Sequence, residues 1–369
     1  MSGEVQVLEE TADHDRLQTG PAPWAWLLIG LAVGLGAGVV FLAPALVPTE
    51  TTEAANVDET APAIPGAPSE ENGIADVVSD FPDALVGLAQ TQLSSYEYVL
   101  WPYASDVLTR GLPIPSSGQA TIDSSGTWVA STMELPEPGG VMLSMGQVGN
   151  INPVATGVSS HVWHDSREGV LGYTAEQGGE TGLWVTSLVA GPDLILALPQ
   201  GARLAAWGDW GYAVSSSAGQ SFDLLTTNGE LKTKVDGIPV ASHASGWVLV
   251  VDDGTAMLVS SGGGVRVIPN FPRVEGESLA GAISPDGQRV AVLGTNGLAV
   301  GSVDGSEKSV LINTGFRSNQ VSWSSDSRFV MAPSNRGATV FDTVSREAES
   351  VLGDLLFSWV GVIPLTPAS

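Results

Sequence analysis

The chain has no cysteine, few cations and no recognisable catalytic signature. Without cysteine there can be no disulfide, no thiolate metal ligand, no thiol nucleophile and no lipid attachment through an N-terminal Cys. It can also fold in an oxidising compartment without mispairing. Only 14 Lys and Arg stand against 40 Asp and Glu, a net charge of -26. Phosphate backbones need clustered cations, so nucleic acid is excluded as a partner, and an anionic lipid surface is disfavoured. No Gly-x-Ser-x-Gly elbow, His-Glu-x-x-His helix or phosphate loop occurs. Asp252-Asp253-Gly254 lacks the alternating acids of a calcium loop.

One long apolar run is present. Residues 24–47 carry no charge and are long enough to cross a bilayer as a single transmembrane helix, with Trp24 and Trp26 at one boundary. A cleaved signal peptide, with Ala43-Pro44-Ala45 at the cut, is the competing reading. The run is longer than a usual apolar signal region and the preceding segment is acidic, which favours a retained anchor. Gly30, Gly34 and Gly38 share one helical face and would let two such helices approach closely, a route to a weak homodimer. Residues 1–23 hold five acids and one cation, Arg16, and read as a short acidic cytoplasmic tail. No Lys or Arg follows residue 47 until Arg110, so the charge bias places the C-terminal part outside the cytoplasm. Residues 48–73, rich in Thr, Glu, Ala and Pro, read as a disordered tether. In residues 74–94, Val77, Val78, Phe81, Leu85, Leu88 and Leu93 are spaced for one apolar face and predict a short helical segment.

The rest, residues 95–369, is repetitive and predicts an all-β domain. A segment recurs roughly every 40 residues, the period of a β-propeller blade. Its clearest copies are Ile-Ser-Pro-Asp-Gly-Gln-Arg-Val-Ala-Val from Ile283 and Trp-Ser-Ser-Asp-Ser-Arg-Phe-Val-Met-Ala from Trp323; a third begins at Ile122. Turn markers fall at Ser124–Gly126, Asp165-Ser166, Gly208-Asp209, Ser245-Gly246, Asp286-Gly287 and Asp326-Ser327, residue types that accept local hydrogen bonds or a positive φ. Each unit adds a second hairpin, the clearest being Gly297–Val303, Asp304-Gly305 and Val310–Ile312. Six first hairpins and a partial seventh at residues 355–365 are left over against an extra hairpin at Tyr98–Tyr103 and Val107–Leu112. The two leftovers would complete one blade together and remove exposed edges. Seven blades are expected, with six as the alternative.

The Ser284–Gly287 and Trp323–Asp326 elements, with the looser Trp163-His164-Asp165-Ser166-Arg167, resemble those of TolB-like, WD40-related propellers. The resemblance runs from about Gly118 to the end and implies a docking platform for other proteins. It carries no site residues. Trp207–Tyr212 and His243–Trp247 keep little of the motif, which leaves those two blades the least defined. Ser215–Phe222 resembles the Asp-box hairpin turn of sialidase-like propellers, with Ser217 where that motif has Asp.

Candidate chemistry is sparse. Trp163, Trp207, Trp323 and Trp359 precede turns at equivalent places and predict packing between blades; Trp128 and Trp247 follow turns. Trp101 and Trp210 break that rule and are the candidate partner-binding residues. His161 and His164, three apart, should face opposite sides of a strand, one the blade interface and one solvent, which argues against a shared metal. No metal, no cofactor and no catalytic residue is assigned. The function expected is a membrane-anchored extracytoplasmic propeller that binds a protein or envelope polymer. The alternatives are a glycan-directed propeller enzyme using Asp165, Asp209, Asp286 or Asp326, and a cytoplasm-facing scaffold held at the membrane.

Overall fold

The structure, a computed structural model, describes residues 83–364 apart from 93–94, 103–107, 117, 137–139, 148–149, 178, 188, 217–218, 277–278, 314 and 316–319. The tail, the apolar run, the tether and residues 74–82 lie outside the described residues. Among the described residues no helix is long and apolar enough to cross a membrane.

The described residues form seven four-stranded antiparallel sheets, each a simple meander. We number these blades along the chain: blade 1 spans residues 120–156, blade 2 158–198, blade 3 203–236, blade 4 238–267, blade 5 280–312 and blade 6 322–351. Blade 7 is composite. Its innermost strand is Phe357–Pro364 from the C-terminal end, and its outer three are Asp83–Gln92, Ser95–Pro102 and Thr109–Pro115. Phe357–Pro364 pairs with Asp83–Gln92 from Asp83↔Pro364 to Ala89↔Phe357. This is the expected joining of the two ends, and it leaves neither end as an open sheet edge. The two blades with degraded motifs, 3 and 4, have the same four strands as the others.

Residues 83–92 form a strand where their apolar spacing predicts a helix. The second strand of each blade is buried on both faces, so its sequence is a continuous apolar run rather than an alternation. In Asp83–Gln92 every residue from Asp83 to Ala89 is buried. Leu85 and Ala89 join the core shared with blade 6, while Val86 and Leu88 join the core shared with blade 1. Loose apolar spacing on a two-sided strand imitates a helical face. The helical expectation for residues 74–94 is therefore corrected over 83–92, and the propeller begins by Asp83 rather than at residue 95.

The same two-sided rule builds the whole core. Val248 and Val250 pack toward blade 3, and Leu249 and Val251 toward blade 5. Val330 and Ala332 pack toward blade 5, and Phe329 and Met331 toward blade 7. Seven apolar clusters result, one at each junction between neighbouring blades.

Candidate functional site: the channel mouth and its ring of turns

The turns joining the first and second strands of the blades lie on one face and surround the mouth of the central channel. Five of them begin with a residue that caps the turn. In blade 1, Asp123 Oδ1 accepts from the backbone N–H of Thr127 and Trp128, both at 3.1 Å. In blades 5 and 6 a serine does this: Ser284 Oγ accepts from Arg289 N at 2.9 Å, and Ser324 Oγ from Phe329 N at 2.8 Å. In blade 2 the cap is an imidazole. His164 Nδ1 accepts from the N–H of Ser166 and Arg167, both at 3.1 Å. His243 Nδ1 likewise accepts from Ser245 N at 3.2 Å in blade 4.

His164 therefore does not face solvent, a correction to the alternation drawn from its spacing. The strand ends at Trp163, so His164 belongs to the turn, is buried, and lies edge-on to Trp207 with ring centroids 4.5 Å apart. Burial pushes its imidazole below the ordinary histidine range, with Arg167 acting in the same sense and Asp165 and Asp209 opposing. His161 does face the blade interface: it is buried, and its Nε2 lies 3.2 Å from Thr121 Oγ1 of blade 1. Burial holds its imidazole down at about 4. Among the described residues no three His, Asp or Glu side chains converge as a metal site.

Neighbouring turns are tied to one another around the mouth. Gly169 N donates to Asp123 Oδ2 at 3.1 Å, joining blades 1 and 2. Arg167 pairs with Asp209, and Trp210 Nε1 donates to Asp165 Oδ2 at 2.7 Å, joining blades 2 and 3. His243 Nε2 lies 3.1 Å from the Pro285 carbonyl, Asp286 N donates to Ser327 Oγ at 3.1 Å, and Ser325 donates to Asp83. Tyr98 Oη donates to the Gly126 carbonyl at 3.2 Å and ties blade 7 to blade 1. Six of the seven junctions thus carry a hydrogen bond that reaches one of these turns, and at four of them it joins two turns.

A second set of ties lies just inside the mouth. Trp207 Nε1 donates to the Val162 carbonyl at 2.8 Å, and Trp323 Nε1 to the Ala282 carbonyl at 3.2 Å. Trp163 Nε1 donates to Thr121 Oγ1 at 3.1 Å. In each case the indole reaches one blade back, to the residue before its own equivalent. This is the interblade packing expected of these positions, with the polar end of each indole satisfied.

The four acids of the enzyme reading are occupied in the turns. Asp209 pairs with Arg167, and Asp326 accepts from Ser324 Oγ at 2.6 Å and Arg328 N at 3.0 Å. Asp286 accepts from Ser284 Oγ at 2.6 Å and Gln288 N at 2.9 Å. Partial burial pushes its carboxyl up, but these bonds, Arg289 and Ser327 outweigh that and hold it below the usual range. Asp165 differs. Its side chain is only 6% exposed, and while Oδ2 takes the Trp210 N–H, Oδ1 has no hydrogen-bond partner.

The two tryptophans singled out from sequence are separate and both half-buried. Trp101 pairs across from Leu85 and packs on the core between blades 6 and 7. Trp210 ties blades 2 and 3 through Asp165, and its carbonyl accepts from Lys232 Nζ at 2.9 Å. The hairpin from Ser215 is the connection between the second and third strands of blade 3, with Gly219 at φ 70°.

Between the turns opens a cavity of about 520 Å³, lined by residues of six blades. Trp323, Trp359, Ile122 and Ile283 form its wall, and Ser124, Asp165, His243, Gln320 and Ser325 place polar atoms around it. An apolar wall with a few convergent polar groups is what a binding pocket requires. Sequence alone missed this site because its residues come from six repeats. His243 and Ser325 are readable only as turn residues, and Asp165 enters the sequence reading only as an acid of the enzyme alternative.

No protein-family model matches the sequence, and no curated protein matches it. Solved structures share the fold. A functionally unknown protein from Desulfotomaculum acetoxidans superposes with a TM-score of 0.53 at 12% identity, covering 76% of this chain and 98% of its own. A protein from Lactobacillus plantarum gives 0.52 at 14% identity with the same coverage. At these identities the likeness shows the fold alone.

Proposed function

We propose that the propeller is a binding module, held at a membrane by residues 24–47 with the ring on the extracytoplasmic side, and that its partner enters the channel mouth on the turn face. The observation that carries this reading is the cavity of about 520 Å³ shared by six blades, whose rim is fixed by turn-to-turn hydrogen bonds. A site already rigid before binding spends little ordering entropy when it binds. Ser124 and Gln320, each both donor and acceptor, suit a polar partner group, from a protein side chain or an envelope polymer. The resemblance of the turns to those of TolB-like propellers, which dock proteins, supports the same role. Asp286 and Asp326 serve their own turns and Asp209 pairs with Arg167, which supports binding over catalysis.

Two experiments test this. Protease treatment of intact cells carrying a C-terminal tag removes the tag if the ring is outside; a tag protected until lysis places it inside. Gln320→Trp plugs the mouth without touching a strand, and full-length protein carrying it should lose saturable partner retention while keeping its unfolding midpoint. Retention unchanged by the plug would move the binding surface elsewhere.

A further inference from the structure

Three of the chain's 14 cations rim one cleft between blades 5 and 6, and a fourth lines an adjoining hollow. The cleft, about 390 Å³, is floored by Val300, Gly301 and Phe341 and rimmed by Arg289, Lys308 and Arg346. An adjoining hollow of about 280 Å³ shares Arg289 and Glu307 and adds Arg266. Two carboxylates also reach these linings, Glu307 and Asp304. Glu307 is engaged by Arg289 in a forked pair, with Arg289 Nε at 3.1 Å and Nη2 at 2.7 Å. That pair is neutral as a unit. Arg266, Lys308 and Arg346 are exposed, and among the described residues none of them is paired with a carboxylate. A local cationic excess in a chain of net charge -26 needs a reason.

The backbone supplies a second, independent sign. Arg346 sits in the turn between the third and fourth strands of blade 6, with φ at +65°. This left-handed conformation places an L residue's Cβ too close to its own chain, and glycine is the usual occupant. The equivalent turns show that preference. In blade 3, Thr226 N donates to the Glu230 carbonyl, and the residue just before Glu230 is Gly229 at φ +81°. In blade 4, Ser260 N donates to the Gly264 carbonyl, and the preceding residue is Gly263 at φ +85°. In blade 6, Asp342 N donates to the Glu347 carbonyl, and the preceding residue is Arg346. In a turn one residue longer, a left-handed arginine thus holds the place before the closing residue that glycine holds in two sister blades. Its guanidinium crosses the gap to donate to the Lys308 carbonyl of blade 5, which sets it at the rim of the cleft.

We propose that this cleft is a second binding site, taking an oxyanion carried on an apolar stem. The anion sits between Arg346 and Lys308, and the stem lies over Phe341 and Val300. A guanidinium already fixed at its base by one hydrogen bond still has donors free for a carboxylate or phosphoryl group. The two groups share this chemistry, so the ligand could reach the site as a carboxylate or as a phosphate ester.

The test is calorimetric titration of the full chain with hexanoate, hexyl phosphate and hexanol. Saturable binding of at least one anion, and none of the neutral alcohol, is expected; which anion binds more tightly assigns the source. Arg346→Gly should weaken that binding by about tenfold or more while raising the unfolding midpoint, because it removes the strained conformation. Lys308→Gln should weaken binding with no change in stability. A purely structural arginine would give the opposite pattern, lower stability and unchanged affinity. The proposal is overturned if neither anion saturates, if hexanol binds as tightly as the anions, or if both variants bind like the parent.

Discussion

Asp83, the first described residue of the propeller, accepts two hydrogen bonds from Ser325, 242 positions later in the chain: from its N–H at 2.8 Å and its hydroxyl at 2.7 Å. Asp83 is 1% exposed. It opens the second strand of blade 7, opposite Pro364 of the innermost strand, and ties that blade to the turn of blade 6. Removing the carboxylate takes two charge-assisted hydrogen bonds from Ser325, which stands exposed at the channel mouth. Asp83→Ala should lower stability by about 2 kcal/mol, and Asp83→Asn, which keeps one acceptor, by less. Denaturant unfolding monitored by fluorescence measures both. Equal stabilities for all three proteins would remove Asp83 from the closure.

Gly208 is fixed by a neighbouring blade. A Cβ at this position would land on the carboxylate of Asp165. That carboxylate is held by the Trp210 indole, so it cannot retreat without breaking the tie between blades 2 and 3. Gly208→Ala is expected to cost about 1–3 kcal/mol and to shift the emission of Trp210. Gly179, with open space around its α-carbon, is the control on the same fold, though its φ of +86° makes any substitution there a test of backbone strain alone.

The buried histidines make stability depend on pH in one direction. Burial lowers His161 from 6.5 to about 4, so the folded protein keeps the ring neutral while the unfolded chain takes up a proton. The contribution is complete above about pH 6.5 and is lost as pH falls toward 4, roughly 3 kcal/mol over that window. His164 is shifted in the same direction. Denaturation midpoints should therefore fall steeply between pH 6.5 and 4, and His161→Gln should flatten part of that slope. A slope unchanged by the substitution would show that His161 titrates normally in the folded protein.

The indole ties can be tested singly. Trp323→Phe keeps most of the ring but leaves the Ala282 carbonyl without its donor. A loss of about 1 kcal/mol is expected, and Trp207→Phe, which frees the Val162 carbonyl, should behave alike. Unfolding curves for the two variants should shift by similar amounts. A neutral outcome at both sites would reduce the indoles to bulk packing.

The fold was legible where the sequence repeats itself. The Ser284–Gly287 and Trp323–Asp326 turns gave the blade period, and the leftover hairpins gave the composite blade. The first strand was not legible, because Val86 and Leu88 serve one neighbour and Leu85 and Ala89 another. A strand buried on both faces has no alternation to read. His164 was misplaced because strand geometry was carried one residue past the end of its strand. The residues that line the channel mouth could not be read together, since six separate repeats supply them. The cationic cleft and its adjoining hollow draw on Arg266, Arg289, Lys308 and Arg346, which are far apart in sequence. One signal was available: aligning the third-to-fourth strand turns sets Arg346 against Gly229 and Gly263.

The most direct test of the account is site-specific photo-crosslinking of the full-length protein in intact cells. A photoreactive residue replaces Ser124 or Gln320 at the channel mouth, and Val189, 99% exposed on blade 2 and absent from the cavity wall, serves as reference. A partner seated in the mouth should give a discrete adduct from Ser124 and Gln320, abolished by a plugging Ser242→Trp, and none from Val189. Adducts from Val189 alone, or adducts at the mouth that survive the plug, would contradict the claim that the ring binds through its channel.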